Sequence, residues 1–281
     1  MEQNKEILRE NKLFGKERPQ LINMPIWRYI LLIGLGYFGF NFIFSVAVQF
    51  LAIPVIFGSY SQEVLESISF MAANPAFATK DFYLLLLVTN FGGYLITTIA
   101  LILSTLKEPL KDILSKYKNI NTYIYGLSYG ALILVLTVLY GLFSTAVSGS
   151  SESNANETMI QTLNSSYPLF IGIMTCIFAP IVEELTYRYG LFGLIAKKSR
   201  LAGYIISAIV FALLHFDFTA TGSNLINELW NLPSYIISGV VLCYAYESTG
   251  NLGVSTFAHF VNNFTATVIS YLVSTNLVGI F

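Results

Sequence analysis

Three apolar segments in the second half of the chain contain polar side chains that are able to do chemistry. They are two carboxylates, a guanidinium, two imidazoles and an amide, on Glu183, Glu184, Arg188, His215, His259 and Asn263. The two histidines are the only ones in the sequence. Insertion scales give about 2.5–3.5 kcal/mol for a charge at the centre of a membrane helix, so ionisable residues there are usually paired or functional.

Helical spacing divides the two glutamates between two roles. Glu184 and Arg188 are four residues apart, so on a helix they share a face and can form an ion pair. Glu183 projects about 100° away from Glu184, so that ion pair leaves the Glu183 carboxylate available. The ion pair itself can also be a purely structural feature.

The other polar groups are predicted to reach a similar depth in the membrane. Residues 197–200 form a basic loop, and an antiparallel hairpin around this loop would place Glu183 beside His215. His259 and Asn263 are four residues apart on one face of the last span, at a comparable distance from the preceding turn. We therefore expect one carboxylate, two imidazoles and one amide to meet in the cytoplasmic half of the membrane, in a site that opens toward the cytoplasm.

Such a set of groups can hydrolyse an acyl or peptide bond. A carboxylate beside an imidazole can accept a proton from water and make the water nucleophilic at neutral pH. A second imidazole and an amide can donate hydrogen bonds to the developing oxyanion, each worth about 2.7–4 kcal/mol in known enzymes. Two alternatives remain open. The groups can line a proton or ion pathway in a transporter, or two histidines and a glutamate can bind zinc, although no segment contains the paired-histidine motif of common zinc proteases.

Composition indicates the class of protein that must position these groups. Of the 281 residues, 55% are apolar and 11% are charged, whereas a soluble domain has about 25% charged residues. The mean hydropathy is +0.65, and the formal net charge of -1 provides no basic field to attract nucleic acid. The sequence therefore predicts an all-α, polytopic bundle of transmembrane helices, with the lipid bilayer as a partner and no nucleic acid.

About seven segments are long enough to cross a membrane, which takes about 20 apolar residues. They are residues 27–57, 82–106, 123–147, 168–196, 201–217, 225–246 and 252–272. Lysine and arginine concentrate in the N-terminal tail and in the loops after the second and fourth spans, whereas the alternate loops contain only Lys80. By the positive-inside rule, this distribution predicts a multi-pass protein of the cell membrane with a cytoplasmic N-terminus.

The layout divides the chain into three regions. Residues 1–26 form a cytoplasmic tail, either as an amphipathic helix at the membrane interface or as a solvated segment. Residues 27–167 contain three spans without a recognised motif, which we expect to provide a substrate gate or a partner surface. The Ser- and Asn-rich residues 149–167 are expected to be a flexible connector. Residues 168–281 contain the candidate catalytic core.

The three motifs together resemble the signature of the CPBP family of intramembrane glutamic endopeptidases, also named the CAAX protease and bacteriocin-processing, or Abi, family. That signature is a pair of Glu residues followed after three residues by Arg, then Phe-x-x-x-His, then His-x-x-x-Asn. In this chain the same order is formed by Glu183-Glu184 with Arg188, Phe211 with His215, and His259 with Asn263.

The resemblance implies a role for each motif residue. Glu183 and His215 would activate water. His259 and Asn263 would form the oxyanion hole. The second glutamate of the pair and Arg188 would support and position Glu183. The family mechanism uses glutamate and needs no metal cofactor, which disfavours the zinc alternative without removing it.

The resemblance also implies a cellular context. It indicates a hydrolase of a bacterial membrane that acts on a membrane protein or peptide, in bacteriocin immunity or peptide processing. One alternative is a non-proteolytic membrane regulator or immunity protein of the same fold, which would bind a partner membrane protein. A third interpretation is an ion-coupled transporter.

Overall fold

The computed structural model describes residues 23–106, 108–149 and 152–275, together with Leu21 and two short strands. The helices of these ranges are α1 (residues 26–57), α2 (Gln62–Ala73), α3 (Lys80–Ser104), α4 (Glu108–Lys116), α5 (Ile120–Ser148), α6 (Ala155–Ser166), α7 (Pro168–Ile195), α8 (Arg200–Leu213), α9 (Gly222–Thr249) and α10 (Leu252–Ser274). The strands β1 (Lys12–Leu13) and β2 (Lys16–Glu17) form one antiparallel pair. The predicted all-α architecture is confirmed, whereas most of the predicted N-terminal tail lies outside the described residues.

Three of these helices are long and apolar enough to cross a membrane: α3, α5 and α7. A fourth span is present if the bent pair Ile26–Phe40 and Phe42–Phe57 of α1 counts as one crossing. Helix α8 is apolar but shorter. Helices α9 and α10 coincide with the sixth and seventh predicted spans but do not meet the same criterion of apolarity. The chain is thus a helical membrane protein, and the count of seven crossings stays a prediction.

Local sequence accounts for the ends of the helices. Thr79 begins α3, where its hydroxyl accepts a hydrogen bond from the backbone N–H three residues later at 3.3 Å. Asn154 begins α6 in the same way, with a distance of 2.9 Å. Gly149 and Gly250 end α5 and α9 with φ angles of 71° and 59°, a left-handed conformation that glycine adopts without a Cβ penalty.

Close packing of α5 against α10 depends on two glycines. A Cβ atom on Gly126 would lie 2.8 Å from the ring of Phe257, and one on Gly130 would lie 2.7 Å from the side chain of Val261. Small residues four positions apart allow two membrane helices to approach closely. Because α10 contains the last of the three motifs, this contact sets the position of that motif in the bundle.

Charged residues give the bundle two different ends. We call one the basic end, where the described cations are Arg28, Lys111, Lys116, Lys118, Lys197, Lys198 and Arg200. Two hydrogen bonds bring its loops together: Lys197 Nζ donates to the carbonyl oxygen of Met24 at 2.9 Å, and Lys116 Nζ donates to that of Gly250 at 2.7 Å. We call the other the acidic end, where Lys80 is the only cation among the described residues and the acidic residues are Glu63, Glu66, Asp81, Glu152, Glu157, Asp217 and Glu228.

The expected flexible connector is instead an anchored helix at the acidic end. Most of residues 149–167 form α6, and the carboxylate of Glu228, which is only 2% exposed, accepts the N–H of Ala155 at 2.8 Å and that of Asp217 at 3.1 Å. Asn164 Nδ2 also donates to the carbonyl oxygen of Thr267 on α10 at 2.9 Å. The prediction of flexibility was wrong for this part because its polar side chains cap and anchor a helix.

Candidate active site

Glu184 and Arg188 form a fully buried ion pair on α7. Nη1 of Arg188 lies 3.2 Å from Oε1 of Glu184, and neither side chain is exposed. The same oxygen lies 3.0 Å from Nδ1 of His259 on α10. Because an ionised carboxylate only accepts hydrogen bonds, the imidazole donates from Nδ1. The predicted ion pair is therefore present, and it also joins α7 to α10.

The ring of Phe211 on α8 contacts both the charged and the imidazole groups. The Cζ atom of Arg188 lies 4.3 Å from the centre of this ring, a cation–π geometry. The ring centres of His215 and His259 lie 4.9 and 5.9 Å from it. The phenylalanine of the Phe-x-x-x-His motif thus packs against the guanidinium and both imidazoles.

Glu183 as a residue is 8% exposed, and its two carboxylate oxygens have different surroundings. Tyr94 of α3 donates its hydroxyl hydrogen to Oε1 at 3.2 Å, and the Tyr94 ring packs against Phe40 with 4.1 Å between ring centres. Oε2 lies 3.7 Å from Nε2 of His259 and has no hydrogen-bond partner among the described residues. One oxygen is therefore held in place, while the other is a buried acceptor without a hydrogen-bond partner in the part of the chain that the structure covers, on a residue that lines the cavity described below.

His215 lies in the turn that follows α8. Its Nδ1 atom donates to the carbonyl oxygen of Phe211 at 2.9 Å, because a carbonyl can only accept. Its ring stacks on Tyr235 of α9, with 4.3 Å between ring centres and 18° between the ring planes. Asn154 Nδ2 donates to the backbone carbonyl oxygen of His215 at 3.0 Å. These contacts leave Nε2 of the neutral ring as the acceptor nitrogen.

Glu183 and His215, which were expected to lie side by side, line the same cavity. No ion pair joins Glu183 to His215 in the described part of the chain, whereas His259 lies 3.7 Å from it.

Asn263 is held by the wall of the site. Its Nδ2 atom donates to the carbonyl oxygen of Thr175 at 2.9 Å, and its Oδ1 atom accepts a hydrogen bond from Asn262 at 3.1 Å. Thr175 belongs to Met174–Phe178, a π-helical stretch of α7, and such stretches are frequent at functional sites. Because an amide nitrogen has two hydrogens, one of them stays available to a ligand.

A cavity of about 650 Å³ connects these groups. Its walls include all four candidate catalytic residues, Glu183, His215, His259 and Asn263. Neither Glu184 nor Arg188 is among its lining residues, so the buried ion pair lies behind the cavity wall. The four residues that the resemblance assigns to the reaction thus share one cavity, and the two that it assigns to support lie outside its lining.

A metal site is not formed by the side chains in the described ranges. No group of three or more His, Cys, Asp or Glu residues there is placed to hold a metal ion. The two imidazoles and Glu183 do line the same cavity, and because Nδ1 of each imidazole donates to an oxygen, Nε2 is the ring nitrogen that remains.

Sequence reasoning missed two residues that contact the site, Tyr94 and Tyr235. Tyr94 contacts Glu183 from the N-terminal part of the chain, which contains no motif, and Tyr235 stacks on His215 from the sixth predicted span. A buried tyrosine hydroxyl usually needs a partner, which is a weak signal. With 18 tyrosines in the chain, that signal could not single out these two.

Comparison with known proteins supports the motif assignment. Residues 165–265 match the family described as type II CAAX prenyl endopeptidase Rce1-like. The resemblance to the CPBP family is confirmed. The matched segment includes every motif residue, from Glu183 to Asn263, and ends within α10.

Two bacterial proteins are similar to longer parts of the chain. The "UPF0177 protein YvdC" of Lactococcus lactis subsp. lactis (strain IL1403) is 24% identical over 197 residues, which cover 69% of this chain and 68% of that protein. The "Putative membrane peptidase YdiL" of Bacillus subtilis (strain 168) is 30% identical over 132 residues, which cover 43% of this chain and 49% of that protein. The chain thus matches only about half the length of the second relative. No solved structure matches the chain significantly.

Proposed function

We propose that this protein is an intramembrane endopeptidase that hydrolyses a peptide bond in a membrane-associated protein or peptide. Two similarities support peptide-bond hydrolysis as the reaction class: the match to Rce1-like endopeptidases and the match to a protein named as a membrane peptidase. The observation that carries the proposal is the carboxylate of Glu183, which lines the cavity with one oxygen held by Tyr94 and the other without a hydrogen-bond partner among the described residues.

In the proposed reaction, Glu183 and His215 activate the attacking water. Oε2 of Glu183 accepts one proton from the water, and Nε2 of His215 accepts a hydrogen bond from its other hydrogen. The water oxygen then bonds to the scissile carbonyl carbon, and the carbonyl electron pair moves to its oxygen. When this tetrahedral intermediate collapses, the carbon–nitrogen bond breaks, and the proton passes from Glu183 to the leaving amine.

His259 and Asn263 stabilise the oxyanion in this proposal. Asn263 contributes the amide hydrogen that Thr175 does not use. His259 already donates from Nδ1, so it donates from Nε2 only as an imidazolium.

The test compares peptide termini in membranes from cells that express three chains at equal levels. The chains are the wild type, Glu183→Gln and Glu63→Gln, the last being an exposed carboxylate on α2 that serves as the matched control. We expect new termini with the wild type and Glu63→Gln chains and none with Glu183→Gln. These termini would identify the substrate, and with it a role in bacteriocin immunity or peptide processing. Identical termini in all three would contradict the proposal and favour a non-proteolytic regulator.

A further inference from the structure

The cavity lies off-centre along the bundle, away from the basic end. On α10 its lining begins at His259, about seven residues or about 10 Å of helix beyond Leu252 at the basic end. It continues to Ser270, about four residues before the helix ends at Ser274. On α5, which runs in the same direction, the lining begins at Ile133, about 20 Å of helix beyond Ile120.

A hydrophobic core fills the space between the cavity and the basic end. Its buried members include Tyr29, Leu32, Tyr189, Phe192, Tyr246 and Leu252. These side chains come from α1, α7, α9 and α10, so the core fills the interior of the bundle between four helices. A second, apolar cavity of about 340 Å³ lies nearer this end, but it shares no lining residue with the candidate active site. Protein interiors packed in this way leave no passage for a peptide.

At the acidic end, the cavity reaches α6, the short helix that connects the third and fourth predicted spans. Asn156, Glu157 and Gln161 of α6 line the cavity, and the Glu157 side chain is exposed. The start of α6 is anchored by the buried carboxylate of Glu228 and by the bond of Asn154 to His215. The edge of the cavity at the acidic end is therefore formed by polar side chains of an anchored helix.

We infer that the active-site cavity opens toward the acidic end, so that the substrate enters as a peptide segment exposed on the outer face of the membrane. The positive-inside rule places the basic end in the cytoplasm, which makes the acidic end extracytoplasmic. This direction is opposite to the cytoplasmic opening expected from the sequence. That the segment is cleaved rests on the proposed peptidase function, whereas the direction of opening rests on the cavity and the charges alone.

Single cysteines test the direction without any need for catalysis. Ser234→Cys places a thiol in the cavity wall on α9, Lys198→Cys marks the basic end, and Glu63→Cys marks the acidic end. The natural cysteines, Cys176 and Cys243, are both buried, so the unsubstituted chain gives the background. The probe is a charged, membrane-impermeant maleimide added to intact cells and, separately, to permeabilised cells.

We expect the thiols of Ser234→Cys and Glu63→Cys to react in intact cells at least tenfold faster than that of Lys198→Cys, which should react only after permeabilisation. A Ser234→Cys thiol that reacts no faster in intact cells than Lys198→Cys overturns the inference, and so does a reversed pattern for the two end markers. The labelling does not depend on hydrolysis, so its failure is distinguishable from an absence of new peptide termini. Where termini are found, they should come from the extracytoplasmic side of the substrate.

Discussion

Nδ1 of His259 lies 3.0 Å from Oε1 of Glu184, a carboxylate with no exposed surface. The same oxygen also forms an ion pair with Nη1 of Arg188, at a distance of 3.2 Å. One buried oxygen therefore joins the first and third motifs, and it selects the nitrogen from which His259 donates. A buried charge is tolerated when it is paired, and removal of one partner costs more than removal of both.

Substitution of Arg188 tests this balance of buried charge. We expect Arg188→Met to destabilise the protein by about 3–5 kcal/mol, because Glu184 would remain as a buried charge without its counter-ion. The double variant Glu184→Gln, Arg188→Met should recover part of this loss. Thermal unfolding in the same detergent measures both effects. A double variant that is less stable than Arg188→Met would contradict the assignment of a compensating pair.

Removal of the Tyr94 hydroxyl tests the positioning of Glu183. Tyr94→Phe keeps the ring contact with Phe40 but loses the hydrogen bond to Oε1 of Glu183. A hydrogen bond to a charged group is worth about 1.5–3 kcal/mol, so kcat should fall about 10- to 100-fold with little change in KM. Tyr60→Phe, at a half-exposed position on the acidic side, is the control and should keep full activity. An unchanged kcat in Tyr94→Phe would remove Tyr94 from the mechanism.

Tyr235 is predicted to hold His215 by its ring and not by its hydroxyl group. The two rings stack at 4.3 Å, and an aromatic pair contributes about 0.5–1.5 kcal/mol beyond its buried area. Tyr235→Phe should therefore keep most of the activity, and Tyr235→Leu should lower kcat about 2- to 10-fold. The comparison of kcat between these two variants is the measurement. Equal losses in both would assign the effect to the lost hydroxyl group.

Peptide cleavage should persist in excess chelator. The expectation follows from the described side chains, which include no cluster of three metal ligands. The check is the cleavage rate of the purified protein before and after dialysis against the chelator. A loss of activity that added zinc restores would favour the zinc alternative over the glutamate mechanism.

The sequence predicts the helices and the composition of the site because both depend on local spacing. Positions four apart on a helix place Glu184 near Arg188 whatever the rest of the fold does. The contact of Glu183 with His259, by contrast, depends on how α7 packs against α10, which no local spacing encodes. Long-range partners such as Tyr94, 89 residues from Glu183, leave no local pattern at all.

Composition also fails to distinguish a polar helix from a polar loop. The Ser and Asn residues before Tyr167 are typical of a connector, yet Asn154 caps α6 and Glu228 binds its first N–H group. The second of these interactions comes from a residue more than 70 positions away. Anchoring of this kind can be recognised only when the tertiary structure is known.

The packing of α5 on α10 provides a final test, with two glycines of one helix as a matched pair. A Cβ atom on Gly130 would lie 2.7 Å from Val261 and 2.9 Å from the carbonyl oxygen of Ala258, whereas one on Gly141 would meet no atom within 4 Å. Overpacking of this kind costs about 1–3 kcal/mol. A backbone oxygen cannot rotate away, so Gly130→Ala should displace α10 as well as lower the thermal stability.

Because Ala258 directly precedes His259, that displacement should also change the geometry of the site. We expect Gly130→Ala to lower the unfolding temperature and kcat together. Gly141→Ala should preserve or raise stability, since alanine is about 0.8–1.0 kcal/mol better than glycine inside a helix. Thermal unfolding and peptide cleavage, measured on the same two preparations, test whether the close contact at Gly130 positions the third motif. If both variants behaved alike, the close contact at Gly130 would not be what positions the third motif.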